Sequence, residues 1–222
     1  LLYEAGIPKN VLHFIPGPGK LIEKHVLTDE RIAGVAFTGS NNVAKTIETT
    51  LAKKTGAIAT LIAETGGINA MLVDSTALPE QVVLDVVQSA FNSAGQRCSA
   101  LRVLYLQTEI ADKVIELLKG RMQELTIDDP ENLTTDIGPV IDKAAQTKLQ
   151  THINDAEAEG RLIYQMPLPD RNEEGCYISP TLIKIDRIHD LREEIFGPVL
   201  QVVRVESMEE AMQLINDHEY GN

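Results

Sequence analysis

The 222-residue chain contains no tryptophan, and aromatic residues make up only 4% of it. Its core must therefore be assembled from Val, Ile, Leu and Ala, which suit buried strands and the helices that cover them. Cysteine is nearly absent. Cys98 and Cys176 alone cannot form the dense framework of a small secreted domain, so a reducing compartment, the cytoplasm, is expected. No apolar run reaches the roughly 18 residues a membrane-spanning helix needs. The opening LLYEAGIPKN lacks the basic flank and cleavage pattern of a signal peptide. It reads as the end of a helix begun earlier, so the chain is expected to be a piece of something longer. Basic residues are outnumbered, 20 against 33 acidic, for a net charge of −13. That balance disfavours nucleic acid, whose backbone requires basic surface. The acidic residues are scattered, and plain solvation accounts for them. An anionic ligand stays open, because backbone N–H groups bind phosphate without net positive charge.

What is present is an alternation of apolar runs and amphipathic stretches. Strands are expected at 11–15, 32–37 and 58–63, with helices at 20–28 and 42–55 between them. Further strands are expected at 70–74, 101–106, 161–165, 181–185 and 199–205. Pro79 suits the first turn of a helix, and Val82, Val83, Val86, Val87, Ala90 and Phe91 follow at helical spacing. Helices are also expected at 109–122, 142–159 and 207–216. Strands that alternate with helices predict an α/β fold with a parallel sheet. A soft boundary between Ile68 and Ala70 divides the chain into 1–69 and 70–222.

Several residues could carry chemistry. Cys98 lies between a helix end and a strand start, among the small residues of Ser93-Ala94-Gly95-Gln96-Arg97-Cys98-Ser99-Ala100. Small neighbours admit a substrate, and Arg97 favours a thiolate; a lone cysteine is also commonly a small buried hydrophobe. Glu64 ends an apolar strand and precedes Thr65-Gly66-Gly67, at the carboxyl end where open α/β sheets bind ligands. Desolvation there would suit it as a base; the plain alternative is a solvated turn residue. Thr38-Gly39-Ser40 joins a strand to a helix, the arrangement in which backbone N–H groups face a phosphate, although ordinary turns look the same. Pro16-Gly17-Pro18-Gly19 is a second such turn. Glu193 and Glu194 precede Ile195-Phe196-Gly197-Pro198, which composition alone reads as an exposed loop. No metal site is supported.

Taken in order, Phe37-Thr38-Gly39-Ser40, Glu64-Thr65-Gly66-Gly67, Gly95-Gln96-Arg97-Cys98 and Glu194-Ile195-Phe196-Gly197-Pro198 resemble the signatures of the aldehyde dehydrogenase superfamily. The 34 residues from Glu64 to Cys98 fit that family's usual interval. Thr65 stands where many members have leucine. LIAETGGINAMLVDSTALPEQVV, FNSAGQRCSALRVLYLQTEIAD and LTTDIGPVID narrow the resemblance to the glutamate-semialdehyde dehydrogenase part of bacterial proline utilization A, a bifunctional family.

The resemblance implies part of a Rossmann-type NAD-binding domain in 1–69 and most of an α/β catalytic domain in 70–222. It implies NAD-dependent oxidation of L-glutamate γ-semialdehyde, formed from 1-pyrroline-5-carboxylate, to L-glutamate in proline catabolism. Cys98 would attack the aldehyde to give a thiohemiacetal and then a thioester, and Glu64 would activate the hydrolytic water. Thr38, Gly39 and Ser40 would lie along the cofactor, with Ser40 at the pyrophosphate. Glu194 would take the nicotinamide ribose hydroxyls, and Phe196 would pack by the nicotinamide. Thr65 and Gly66 would border nicotinamide and substrate, and Ser99 the substrate carboxylate. FAD would belong only to a separate proline dehydrogenase domain of the parent. A homo-oligomeric parent is implied, and any peripheral membrane contact would fall to its other domains. The family's Trp-Asn-Phe-Pro-like motif, which supplies an oxyanion-holding asparagine, does not occur in this sequence, nor does the lysine-bearing segment that holds the adenine ribose. This segment alone is therefore expected to be inactive or nearly so.

Three alternatives stand beside this reading. One is an aldehyde dehydrogenase of other substrate or an acyl-phosphate-forming relative, against which Glu64 argues, since only hydrolysis needs a water-activating base. Another is a degenerate binding or assembly domain, against which the intact Cys98, Glu64 and Glu194 argue. The weakest is a Cys–His hydrolase, since none of the five histidines shares a motif with Cys98.

Overall fold

A computed structural model describes residues 1–169, 175–191 and 193–217. The chain divides into two compact units, Leu1–Gly66 and Gly67–Asn222. The division falls within the paired glycines, so Ile68 and Asn69 go with the second unit. Ile68 is 2% exposed within that unit's core, and Asn69 opens a strand there.

In the first unit, β1 (Gly34–Gly39) and β2 (Thr60–Thr65) pair in parallel, connected through α2 (Asn41–Ala52). α1 (Gly19–Ile22) runs on into a wider turn, Glu23–Leu27. Leu27, Ile47 and Leu51 form a small cluster, with Val35, Phe37, Ala59 and Leu61 packed against it. The strand expected at 11–15 does not form: that stretch has no strand pairing, and Val11, Phe14 and Ile15 are exposed. An apolar run by itself cannot supply the neighbouring strand that a ladder requires.

The second unit holds five strands in the order β3-β4-β7-β6-β5. These are β3 (Asn69–Val73), β4 (Leu101–Gln107), β5 (Leu162–Gln165), β6 (Thr181–Lys184) and β7 (Val199–Val205). All neighbours pair in parallel except β5 with β6. That antiparallel edge departs from the expected parallel sheet. β5 and β6 are consecutive strands, and the described residues between them hold no crossover helix to restore the direction. In β4, Leu101 through Leu106 are all buried. A strand buried on both faces reads as a continuous apolar run rather than an alternating one. α3 (Pro79–Phe91) buries Val83, Val86, Val87, Ala90 and Phe91 and packs on α4 (Thr108–Gln123) and β4. α5 (Lys143–Ala158) and α6 (Met208–Asn216) are capped by the side chains of Asp142 and Ser207, which satisfy otherwise orphaned N–H groups. Among the described residues, no helix is long and apolar enough to cross a membrane.

Candidate active site

The candidate residues form two sets, one in each unit. In the first unit, the parallel register sets Thr38 opposite Glu64 and Gly39 opposite Thr65. Thr38, Gly39, Glu64 and Thr65 thus lie at the carboxyl ends of adjacent strands, where open α/β sheets present ligand sites. Glu64 is the penultimate residue of β2 rather than the residue after it. Its side chain is exposed in this segment. Ser40 is the N-cap of α2, its hydroxyl accepting from Val43 N at 3.4 Å. The first N–H groups of any helix have no intrahelical partner, and their dipole favours an anion.

In the second unit, α3 ends in a short turn, Asn92–Gly95, with three successive residues in the left-handed region: Ser93 (φ 56°), Ala94 (φ 52°) and Gly95 (φ 64°). Ser93 and Ala94 carry a Cβ there, a conformation costing roughly 1–2 kcal/mol per residue. Such strain persists only where surroundings over-determine it, commonly at functional sites. Gly95 is required for a second reason: a Cβ would collide with the carbonyl of Gly197. This turn delivers Cys98 and Ser99 to exposed positions just before β4.

Three side chains fix this Cys98 loop. Asn69 Nδ2 donates to Cys98 O at 2.7 Å and to Ala100 O at 2.8 Å. Gln96 Oε1 accepts from Ile141 N at 2.8 Å, and its Nε2 donates to Pro139 O at 3.3 Å. Arg102 lies in β4 and is 1% exposed. Its Nη2 and Nε donate to Glu194 Oε1 at 2.8 and 3.2 Å. Burial pulls its guanidinium below the ordinary value, and the Glu194 carboxylate works in the opposite direction. Glu194 is thereby placed next to the Cys98 loop, and Phe196 lies with its ring centroid 5.1 Å from the guanidinium carbon.

Gln96, Lys148, His152, Glu193 and Phe196 line a cavity of about 400 Å³. Lys148 Nζ and Glu193 Oε2 pair at 2.7 Å on exposed side chains. Burial holds the His152 imidazole below its ordinary value, with Nε2 3.3 Å from Gln201 Nε2. Sequence reading named Cys98, Ser99, Glu194 and Phe196 as candidates here and did not name Asn69 or Arg102. Arg102 did leave a signal, as a lone charge inside an otherwise apolar strand. Cys176 is unpaired and half-buried.

The Aldehyde dehydrogenase family model matches residues 1–222. The Bifunctional protein PutA of Klebsiella aerogenes is 46% identical over all of this chain, which spans 18% of that relative. The 1-pyrroline-5-carboxylate dehydrogenase of Geobacillus thermodenitrificans is 34% identical over all of this chain, which spans 44% of that relative. A crystal structure of a Bradyrhizobium japonicum Proline Utilization A (PutA) mutant superposes with a TM-score of 0.93 at 48% identity, covering 99% of this chain and 22% of that one.

Proposed function

The chain belongs to the aldehyde dehydrogenase family, and on that premise we propose that its full-length protein uses NAD to oxidise L-glutamate γ-semialdehyde, derived from 1-pyrroline-5-carboxylate, to L-glutamate. The observation that carries this reading is the 46% identity, over the whole chain, to a bifunctional PutA, with 34% to a 1-pyrroline-5-carboxylate dehydrogenase. In this reading, residues 1–66 belong to the cofactor-binding domain and the remainder to the catalytic one.

The chain's residues suit a dinucleotide. The open first turn of α2 behind Ser40 suits a pyrophosphate. Arg102 engages Oε1 of Glu194, so Oε2 is left for a ribose hydroxyl. The exposed ring of Phe196 offers a flat apolar face for a nicotinamide. Thr38, Gly39, Thr65 and Gly66 line the approach with backbone. When bound, NAD supplies the hydride acceptor.

The other roles fall to protein groups. Cys98 Sγ forms a bond to the aldehyde carbon, and the carbonyl oxygen takes up the negative charge. The Cys98 N–H donates to that oxygen, and Asn69 fixes the loop from the carbonyl side. After oxidation the acyl group remains on sulfur as a thioester. Glu64 removes a proton from water, which adds to the thioester and releases the acid and the thiol. Covalent catalysis divides one hard oxidation into two easier steps. Ser99 would contact the substrate carboxylate. Loss of one oxyanion donor costs roughly 10²–10³ in rate, so the 222-residue chain alone, which lacks the family's asparagine motif, should turn over poorly.

The test is absorbance of NADH formed by the full-length protein with 1-pyrroline-5-carboxylate, beside simple aldehydes and methylmalonate semialdehyde. Cys98→Ser should reduce turnover by roughly 10³-fold or more. Glu64→Gln should leave a single-turnover burst of NADH and a slow steady state. Full activity in Cys98→Ser would refute the nucleophile, and preference for another aldehyde would refute the substrate.

A further inference from the structure

Among the described residues, Arg102 is the largest fully buried side chain, in a strand whose neighbours are apolar. Nothing in the packing of β4 demands a cation, and burying one is costly unless its hydrogen bonds are met. All of its bonds go to two loops. Nη1 donates to Gly95 O at 2.7 Å, and Nη2 to Arg97 O at 2.9 Å, on the segment leading into Cys98. Nη1 also reaches Gly197 O at 3.3 Å, while Nη2 and Nε hold Glu194 Oε1. The Phe196 ring lies against the same group. The two loops also touch directly, since Gly95 has no room for a Cβ beside Gly197 O.

We propose that Arg102 is a positioning residue shared by the nucleophile loop and the Glu194–Gly197 loop, so that a change at Glu194 is transmitted to Cys98. The proposal rests on the roles given above to Cys98 and Glu194. A guanidinium is a rigid planar fork with fixed donor directions. If a ligand draws on the Glu194 carboxylate, the fork must re-aim, and the carbonyls of Gly95 and Arg97 move with it. A Cys98 thiolate would also favour the charged guanidinium. Coupling of this kind is reciprocal: what binds at Glu194 alters Cys98, and modification of Cys98 alters binding at Glu194. Lysine, a point charge without the fork, cannot hold both sides at once.

The experiment is a double-mutant cycle on the full-length protein, with Glu194→Gln, Arg102→Lys and the double variant. The readout is the rate of iodoacetamide alkylation at Cys98, followed on its peptide by mass spectrometry, without dinucleotide. Glu194→Gln removes the charge that offsets the guanidinium, so alkylation should accelerate about three-fold or more. In the Arg102→Lys background the same change should have less than about a 1.5-fold effect. Equal effects in both backgrounds would mean that Glu194 acts directly through space, and would overturn the proposal. An unchanged rate in Glu194→Gln alone would also overturn it, even if the Arg102 variant failed to fold. If the unaltered protein bound no dinucleotide, the functional reading would fail, while the cycle would still decide the coupling.

Discussion

The unit Leu1–Gly66 buries four apolar residues, Leu27, Ala44, Ile47 and Leu51, whereas in Gly67–Asn222 the strand β4 alone buries six residues in succession, five of them apolar. The first unit carries Phe14 and Ile58 almost wholly exposed, and more than half of Ile62, on or near a sheet of two strands. Two strands seldom suffice for independent stability. The second unit has a five-stranded sheet and one continuous core. The contrast carries over to the chemistry. Glu64 and Ser40 stand on strand ends with little core behind them, and Cys98 stands on a loop anchored to the most buried strand. Rigidity is thus concentrated under Cys98, where strained residues need it.

Separating the units breaks this comparison most directly. Residues 67–222 alone should keep their helical and strand dichroism and melt cooperatively. Residues 1–66 alone should show no cooperative transition, because about 60 residues with so small a core cannot offset chain entropy. A sharp melt from the shorter piece would overturn the contrast. Next in size is Gly95→Ala. The left-handed φ and the overlap with Gly197 O should together cost about 3 kcal/mol, read as a lower denaturant midpoint at an unchanged slope. Gly6→Ala, also at positive φ but with nothing near its Cβ, should show only the backbone part, about 1 kcal/mol. A smaller loss is expected for Asn69→Ala, which leaves the carbonyls of Cys98 and Ala100 without that donor. About 1–2 kcal/mol is expected in chemical denaturation, with altered Cys98 alkylation. If stability fell while alkylation stayed fixed, Asn69 would support the core and not the loop.

Much of this was legible because the relevant signals are local. Val83, Val86, Val87, Ala90 and Phe91 at helical spacing placed α3, and Pro79 placed its start. The ordered motifs around Ser40, Glu64, Cys98 and Glu194 located the family, which the family model bears out over residues 1–222. The misses are non-local. The run at 11–15 looked like a strand, but pairing depends on a neighbour that its own residues do not encode. The reversed edge strand β5 depends on the path from Gln165 to Thr181. Asn69 and Arg102 act across 29 and 92 residues of chain, on Cys98 and Glu194 respectively, and no local spacing reports that. The extra conformational burden at Ser93 and Ala94 was likewise invisible, since neither is a residue type that favours positive φ.

The smallest expected effect tests whether the large core is apolar by necessity. Tyr105 lies in β4, fully buried, and its hydroxyl has no hydrogen-bond partner among the described residues. An unsatisfied buried hydroxyl is a cost that its isostere avoids. Tyr105→Phe should therefore stabilise the protein by about 1 kcal/mol. The pH dependence supplies an independent sign. Burial pushes the Tyr105 phenol up to about 12, against about 10 in an unfolded chain. The folded state thus favours the neutral phenol, and this contribution is fully present below about pH 10 and lost as pH rises towards about 12. Phenylalanine has nothing to titrate, so the stability gap between variant and parent should widen over that interval. A gap that is constant with pH, or a destabilised variant, would show that the hydroxyl is satisfied in solution and that β4 tolerates a second polar group beside Arg102.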